Sequence, residues 1–178
     1  MRRIYIMSKL LIIGAGRSSS SLIDYLLSNA KAQSWHITIA DANKAAVESK
    51  ISQYKDVAAA VEFDVNNAQL REELIKNSDF VVSMLPAFMH GDVARDCVRL
   101  GKHIATASYV SQDMKDLDAE AKQKNLILLN ECGLDPGIDH ASAMKVIHEI
   151  QDKGGKITSF KSFCGGLVAP ESNDNPWG

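Results

Sequence analysis

The sequence predicts an α/β fold built on a doubly wound parallel sheet. Three observations carry this: short apolar runs alternate with amphipathic segments, a glycine turn joins the first run to the first helix, and an aspartate closes the second run. The runs are continuously apolar rather than alternating, as expected of strands buried on both faces by crossover helices.

The runs are "LLII" (10–13), "HITIA" (36–40), "AAVEF" (59–63), "DFVVSML" (79–85), "HIATAS" (103–108) and "LILLN" (126–130). Between them lie five segments with helical spacing: "SSLIDYLLSNA", "NKAAVESKISQY", "NAQLREELIKN", "GDVARDCVRLG" and "DMKDLDAEAKQKN". Six strands and five crossovers make one sheet. A helix over 137–150, "GIDHASAMKVIHEI", follows, and "KITSFKSFCGG" (156–166) reads as a new strand that opens a second α/β unit. The expected organisation is a leader or alternative start at 1–7, a dinucleotide-binding domain at 8–155, and the beginning of a substrate and dimerisation domain at 156–178.

At 178 residues, the chain is long enough for a substantial core. A net charge of −2 gives no electrostatic footprint for nucleic acid or an anionic membrane, so small molecules and other subunits are the expected partners. Cys97, Cys132 and Cys164 are too few and too widely spaced for a disulfide framework or a paired zinc site, which points to a reducing cytoplasm and no metal. "MRRIYIMSKLLIIGAG" starts like a signal peptide, but Ser8 and Lys9 break its apolar stretch and it ends in a glycine loop. Met7 could itself initiate the chain. No run is long enough to span a bilayer.

Gly14 and Gly16 lie between the first strand and first helix, where a tight turn brings a pyrophosphate close to helix N-terminal amides; Arg17 and Ser18 continue this cradle. Ser19 occupies the third glycine position and is small enough for helix and strand to stay close. Asp41 lies about 25 residues beyond the loop, where a carboxylate can bind the ribose hydroxyls. Its other role would be to cap the helix beginning at Asn43. A carboxylate there repels a 2′-phosphate and favours NAD over NADP, with Arg17 able to soften the preference. The same constellation serves S-adenosylmethionine in many methyltransferases.

Asp64 and Val65 could lie beside the adenine, or Asp64 could form an Asx turn. Leu85 and Pro86 leave the fourth strand at the topological switch point, where open α/β sheets bind ligands. His90 follows, as a catalytic group or an edge-facing polar residue. Ala107, Ser108 and Tyr109 leave the fifth strand, and Cys132, Leu134 and Asp135 leave the sixth, all toward the same crevice. Gly133 and Gly137 give the backbone room there. Asp135-Pro136-Gly137 could also cap the next helix, with proline in its first turn.

"TASYVS", "NECGLDPGIDHASA" and "SFCGGLVAPESNDNP" together resemble the saccharopine dehydrogenase family, in its glutamate-forming branch, and the likeness covers residues 8–178. The resemblance implies a Rossmann cofactor domain followed by a larger substrate and dimerisation domain, and a homodimer in the full-length form. It implies a reaction in which 2-aminoadipate semialdehyde and glutamate condense to an imine that a nicotinamide hydride reduces to saccharopine. It also implies catalytic roles for Tyr109, Asp135 and Cys164, with Ser108 and Leu134 beside an amino-acid substrate. Fungal members that use NADP carry a Cys-Arg pair where this chain has Ala40-Asp41, so their cofactor preference does not transfer. A carboxynorspermidine or carboxyspermidine dehydrogenase, a methyltransferase and a non-catalytic dinucleotide-binding module are the alternatives.

Overall fold

The computed structural model describes residues 8–163 and 165. The expected leader at 1–7, Cys164 and most of the expected second-domain segment lie outside the described residues. The six apolar runs form strands β1 (Ser8–Ile13), β2 (Trp35–Asp41), β3 (Ala58–Glu62), β4 (Phe80–Ser83), β5 (His103–Thr106) and β6 (Leu128–Leu129). They make one parallel sheet in the order β3-β2-β1-β4-β5-β6. The chain winds one way from β1 through β3 and then crosses to β4 on the opposite side, which leaves a crevice at the strands' C-terminal ends.

Burial accounts for the continuous apolar runs. On one face Leu11 and Ile13 pack with Val81, Ile104, Val93 and Cys97; on the other Ile12 packs with Ile37, Ile39, Ile23 and Leu27. Burying a side chain of this size stabilises the fold by roughly 1.5–3 kcal/mol. The desolvated Cys97 thiol has its pKa pushed up to about 12, which makes it an inert core residue.

The crossovers are α1 (Ser20–Gln33), α2 (Lys44–Lys50), α3 (Ala68–Lys76), α4 (His90–Leu100) and a pair, α5 (Gln112–Asp116) and α6 (Asp118–Gln123). Asn43, Asn67 and Ser111 cap α2, α3 and α5 by accepting the N–H groups of Ala46, Leu70 and Met114. Gly101, at φ +70°, ends α4 by turning into the left-handed region.

Four elements differ from expectation. The segment at 113–125 is two short helices broken at Leu117, between Asp116 and Asp118, residues of low helix propensity. The second helix stops at Lys50, and Ile51–Tyr54 form a turn instead. The last strand shrinks to two residues, because only Leu128 and Leu129 find partners on β5. No strand forms among the described residues of 156–166, since an extended segment needs a ladder partner and none is present for it there.

The final helix, α7 (Ile138–Asp152), forms as expected, but none of its residues is buried. Among the described residues no helix is long and apolar enough to cross a membrane.

Candidate active site

The two glycines of the first turn serve different ends. Gly14 has φ +97°, and a Cβ there would lie 2.9 Å from the Met84 carbonyl oxygen, so the fold itself requires glycine. Gly16 is extended at φ −63° and ψ −176°, and an added Cβ would meet nothing within 4 Å. Among the described residues no contact demands glycine there; the open space before the α1 N-terminus suits a close-lying pyrophosphate. Ser19, at the third position, is fully buried and folds back to donate from Oγ to the Gly16 carbonyl at 2.8 Å. Arg17 and Ser18 are exposed on the same turn. Lys50, which sequence reasoning missed, donates to the Ala15 carbonyl at 3.1 Å and to Ser20 Oγ at 3.3 Å, adding a cation beside the loop.

Asp41 accepts the Ala15 N–H at 2.6 Å and the Asn43 N–H at 2.8 Å, tying the end of β2 to the glycine loop. It does not cap α2, because the Asn43 side chain holds that position. Asp64 forms the Asx turn, accepting the Asn66 N–H at 2.9 Å. Arg71 braces this loop from below, bonding the Val65 carbonyl at 2.6 Å and Asp96 at 2.7 Å. Gly14, Asp41, Asp64, Val65, Leu85 and Met89 line a hollow of about 380 Å³ at this end of the crevice.

A second hollow, of about 480 Å³, lies toward β5 and β6, with Ala87, His90, Ala107, Ser108, Tyr109 and Asp135 in its wall. The Tyr109 hydroxyl donates to Asp135 Oδ1 at 2.6 Å, so the two groups that the resemblance assigns to catalysis meet although 26 residues apart. A Cβ on Gly133 would lie 3.1 Å from the Ala107 carbonyl oxygen, which shows how closely the 130–140 loop approaches the end of β5. Neither Pro86, Cys132 nor Leu134 is in the described lining of either hollow, and Leu134 is 74% exposed.

Asp135 does not cap α7. Gly137 occupies the cap position, its N–H bonded to Asp139 Oδ1 at 2.9 Å, and Pro136 precedes the helix rather than entering its first turn. Asp139 also pairs with His140 at 2.8 Å, which raises the imidazole pKa above its ordinary value.

His90 is not edge-facing. It is 3% exposed, with Nδ1 2.8 Å from Ser83 Oγ and Nε2 2.9 Å from both Thr106 Oγ1 and Ser108 Oγ. Desolvation pushes its pKa below the ordinary value, which favours the neutral ring. Asn130 was also missed: it lines the hollow, and its Oδ1 is buried without a hydrogen-bond partner among the described residues. Polar residues in or at the end of otherwise apolar runs, Ser83, Thr106 and Asn130, were the available signal for the buried surroundings of His90 and for Asn130.

A 3-2-1-4-5-6 parallel sheet with a glycine turn after β1, an acid closing β2 and two hollows at the switch point defines a Rossmann-type dinucleotide-binding domain. Residues 10–129 match the family model described as saccharopine dehydrogenase NADP binding domain, and residues 133–178 match the saccharopine dehydrogenase C-terminal domain. The chain belongs to the saccharopine dehydrogenase family.

It is 43% identical over 129 residues to a saccharopine dehydrogenase [NADP(+), L-glutamate-forming] of Pyricularia oryzae, covering 72% of this chain and 29% of the relative. It is 36% identical over 172 residues to the protein of that name from Schizosaccharomyces pombe, covering 97% and 37%. The apo L-Glu-forming saccharopine dehydrogenase from Saccharomyces cerevisiae superposes with a TM-score of 0.77 at 33% identity, covering 95% of this chain and 37% of that structure. The chain thus spans about a third of the length of these relatives.

Proposed function

We propose that the full-length protein is a nicotinamide-dependent oxidoreductase acting on a secondary amine, interconverting saccharopine with 2-aminoadipate semialdehyde and glutamate. The observation that carries this is the Tyr109–Asp135 pair, at 2.6 Å, on the wall of a hollow beside the glycine-loop crevice. The names of the relatives supply the substrate. When bound, a reduced nicotinamide supplies the hydride that reduces the imine carbon.

The protein's own groups bind and orient. The turn at Gly14 and Gly16, with the amides of Arg17 and Ser18, holds the pyrophosphate; Asp41 binds the ribose; Asp64 and Val65 lie beside the adenine. Leu85, Pro86 and Ala107 border the path toward the second hollow. There the Tyr109 hydroxyl and the Asp135 carboxylate, joined by their hydrogen bond, face the reacting nitrogen as one pair that orients it and exchanges its proton. Ser108 and Leu134 meet the rest of the substrate, and Cys164 joins the proton network as a second domain closes. The carboxylate of Asp41 favours an unphosphorylated ribose, so NADH is the preferred reductant although the named relatives are NADP(+) enzymes. The same reading carries a homodimer and a place in cytoplasmic lysine metabolism.

The test is turnover of saccharopine by the full-length protein with NAD and NADP, alongside calorimetric titration with NADH and NADPH. Oxidation of saccharopine with tighter NADH binding is expected. Failure to oxidise saccharopine with either dinucleotide overturns the reaction, and tighter NADPH binding overturns the role of Asp41.

A further inference from the structure

We propose that His90 is a positioning residue for substrate binding: its Nε2–H holds the Ser108 oxygen, turning the Ser108 hydroxyl hydrogen into the second hollow as a donor for a substrate carboxylate. This rests on that hollow being the substrate site.

His90 Nε2 lies 2.9 Å from both Thr106 Oγ1 and Ser108 Oγ, and of these two only Ser108 lines the hollow. Ser83 ends β4, Thr106 ends β5, and His90 opens α4, so the imidazole bridges the ends of two adjacent strands at the hollow's edge. Ser83, Thr106 and His90 are 0%, 2% and 3% exposed. Burying three polar side chains costs desolvation that packing alone does not require, because apolar residues of similar volume would fill the same space. His90 and Ser108 both line the hollow, and Ser108 is the partly exposed member of the cluster.

Ser108 is gripped twice. Its N–H donates to Thr106 Oγ1 at 3.3 Å, and its Oγ lies 2.9 Å from His90 Nε2. An unrestrained serine samples three staggered rotamers, and the second contact selects one. A neutral imidazole has one donor and one acceptor nitrogen. With hydrogen on Nε2, Ser83 donates to Nδ1 at 2.8 Å, the Nε2–H is shared between Thr106 Oγ1 and Ser108 Oγ, each at 2.9 Å, and the Ser108 hydrogen is left for a ligand acceptor. An amino-acid substrate carries such an acceptor on its carboxylate.

Asparagine and glutamine separate the two ring contacts, since the Asn amide reaches the place of Nδ1 and the Gln amide that of Nε2. In the full-length protein His90→Asn should raise KM for saccharopine about tenfold, the loss of one charge-assisted hydrogen bond, with the Kd for NADH unchanged. His90→Gln should restore KM to within about twofold of the wild type, and His90→Asn should add nothing in a Ser108→Ala background. Equal KM values for the Asn and Gln variants, or multiplying effects in the double variant, would reduce His90 to core packing and overturn the proposal. If the wild type does not oxidise saccharopine, the proposed reaction fails separately. The His90 bond is then read by ¹⁵N NMR of the imidazole: a protonated Nε2 whose signal moves in Ser108→Ala supports it, and an unprotonated Nε2 overturns it.

Discussion

On the β1–β3 side of the crevice, Asp41 and Asp64 bond the backbone N–H groups of nearby turns. On the β4–β6 side, His90 bonds Ser83, Thr106 and Ser108, and Tyr109 bonds Asp135, all through their side chains. The first arrangement fixes the shape of loops and leaves a surface for a ligand. The second fixes the direction of individual hydroxyl and carboxylate groups, as a site that must align reacting atoms requires. The division suits a dinucleotide that is held along its length on one side and a substrate that is aimed on the other.

The comparison can be broken most forcefully at Asp135. In the full-length protein Asp135→Ala should lower turnover by roughly a hundredfold or more while leaving the Kd for NADH unchanged; parallel loss of both would place Asp135 on the dinucleotide side. Next come the two glycines. Gly14→Ala should destabilise the fold by about 1–3 kcal/mol in chemical denaturation, because a side chain is strained at φ +97° and crowds the Met84 carbonyl. Gly16→Ala should leave stability intact and weaken dinucleotide binding in calorimetry; a stability loss equal to that of Gly14→Ala would remove the ligand argument for Gly16.

A smaller effect is expected at Asp41, where Asp41→Asn should raise the affinity for NADPH relative to NADH about tenfold by removing a charge that repels the 2′-phosphate. The smallest concerns pH. Because the folded His90 pKa is lowered, the unfolded chain binds more protons as pH falls through about 6.5, so His90 makes the wild type lose stability on acidification. His90→Gln should flatten that acid limb in melting temperature measured from pH 7.5 to 5.5. His140, whose folded pKa is raised, contributes with the opposite sign in both proteins, so the difference between them reports His90.

Much of the sheet is legible because a strand buried on both faces must be apolar throughout, and Leu11, Ile12 and Ile13 show this directly. Asp41 and Asp64 are legible for a similar reason, as acids placed where a buried run ends. The two-residue β6 is not, since its length depends on how far β5 offers partners rather than on the apolarity of 126–130. His90 is illegible from its helix-opening position alone: its partners lie 7, 16 and 18 residues away and meet it only after β4 and β5 pair. Family resemblance assigns Tyr109 and Asp135 catalytic roles, but their hydrogen bond is illegible in the sequence, because the spacing of the two loops contains no such contact.

The short connection from β4 to α4 borders both hollows, with Leu85 and Met89 facing one and Ala87 and His90 the other. A shared wall makes the two occupancies thermodynamically linked wherever filling one hollow shifts that connection, and the linkage is reciprocal: whatever factor the dinucleotide imposes on amino-acid affinity, the amino acid imposes on dinucleotide affinity. Under the proposed function, a single turn of backbone carries the coupling between the two ligands.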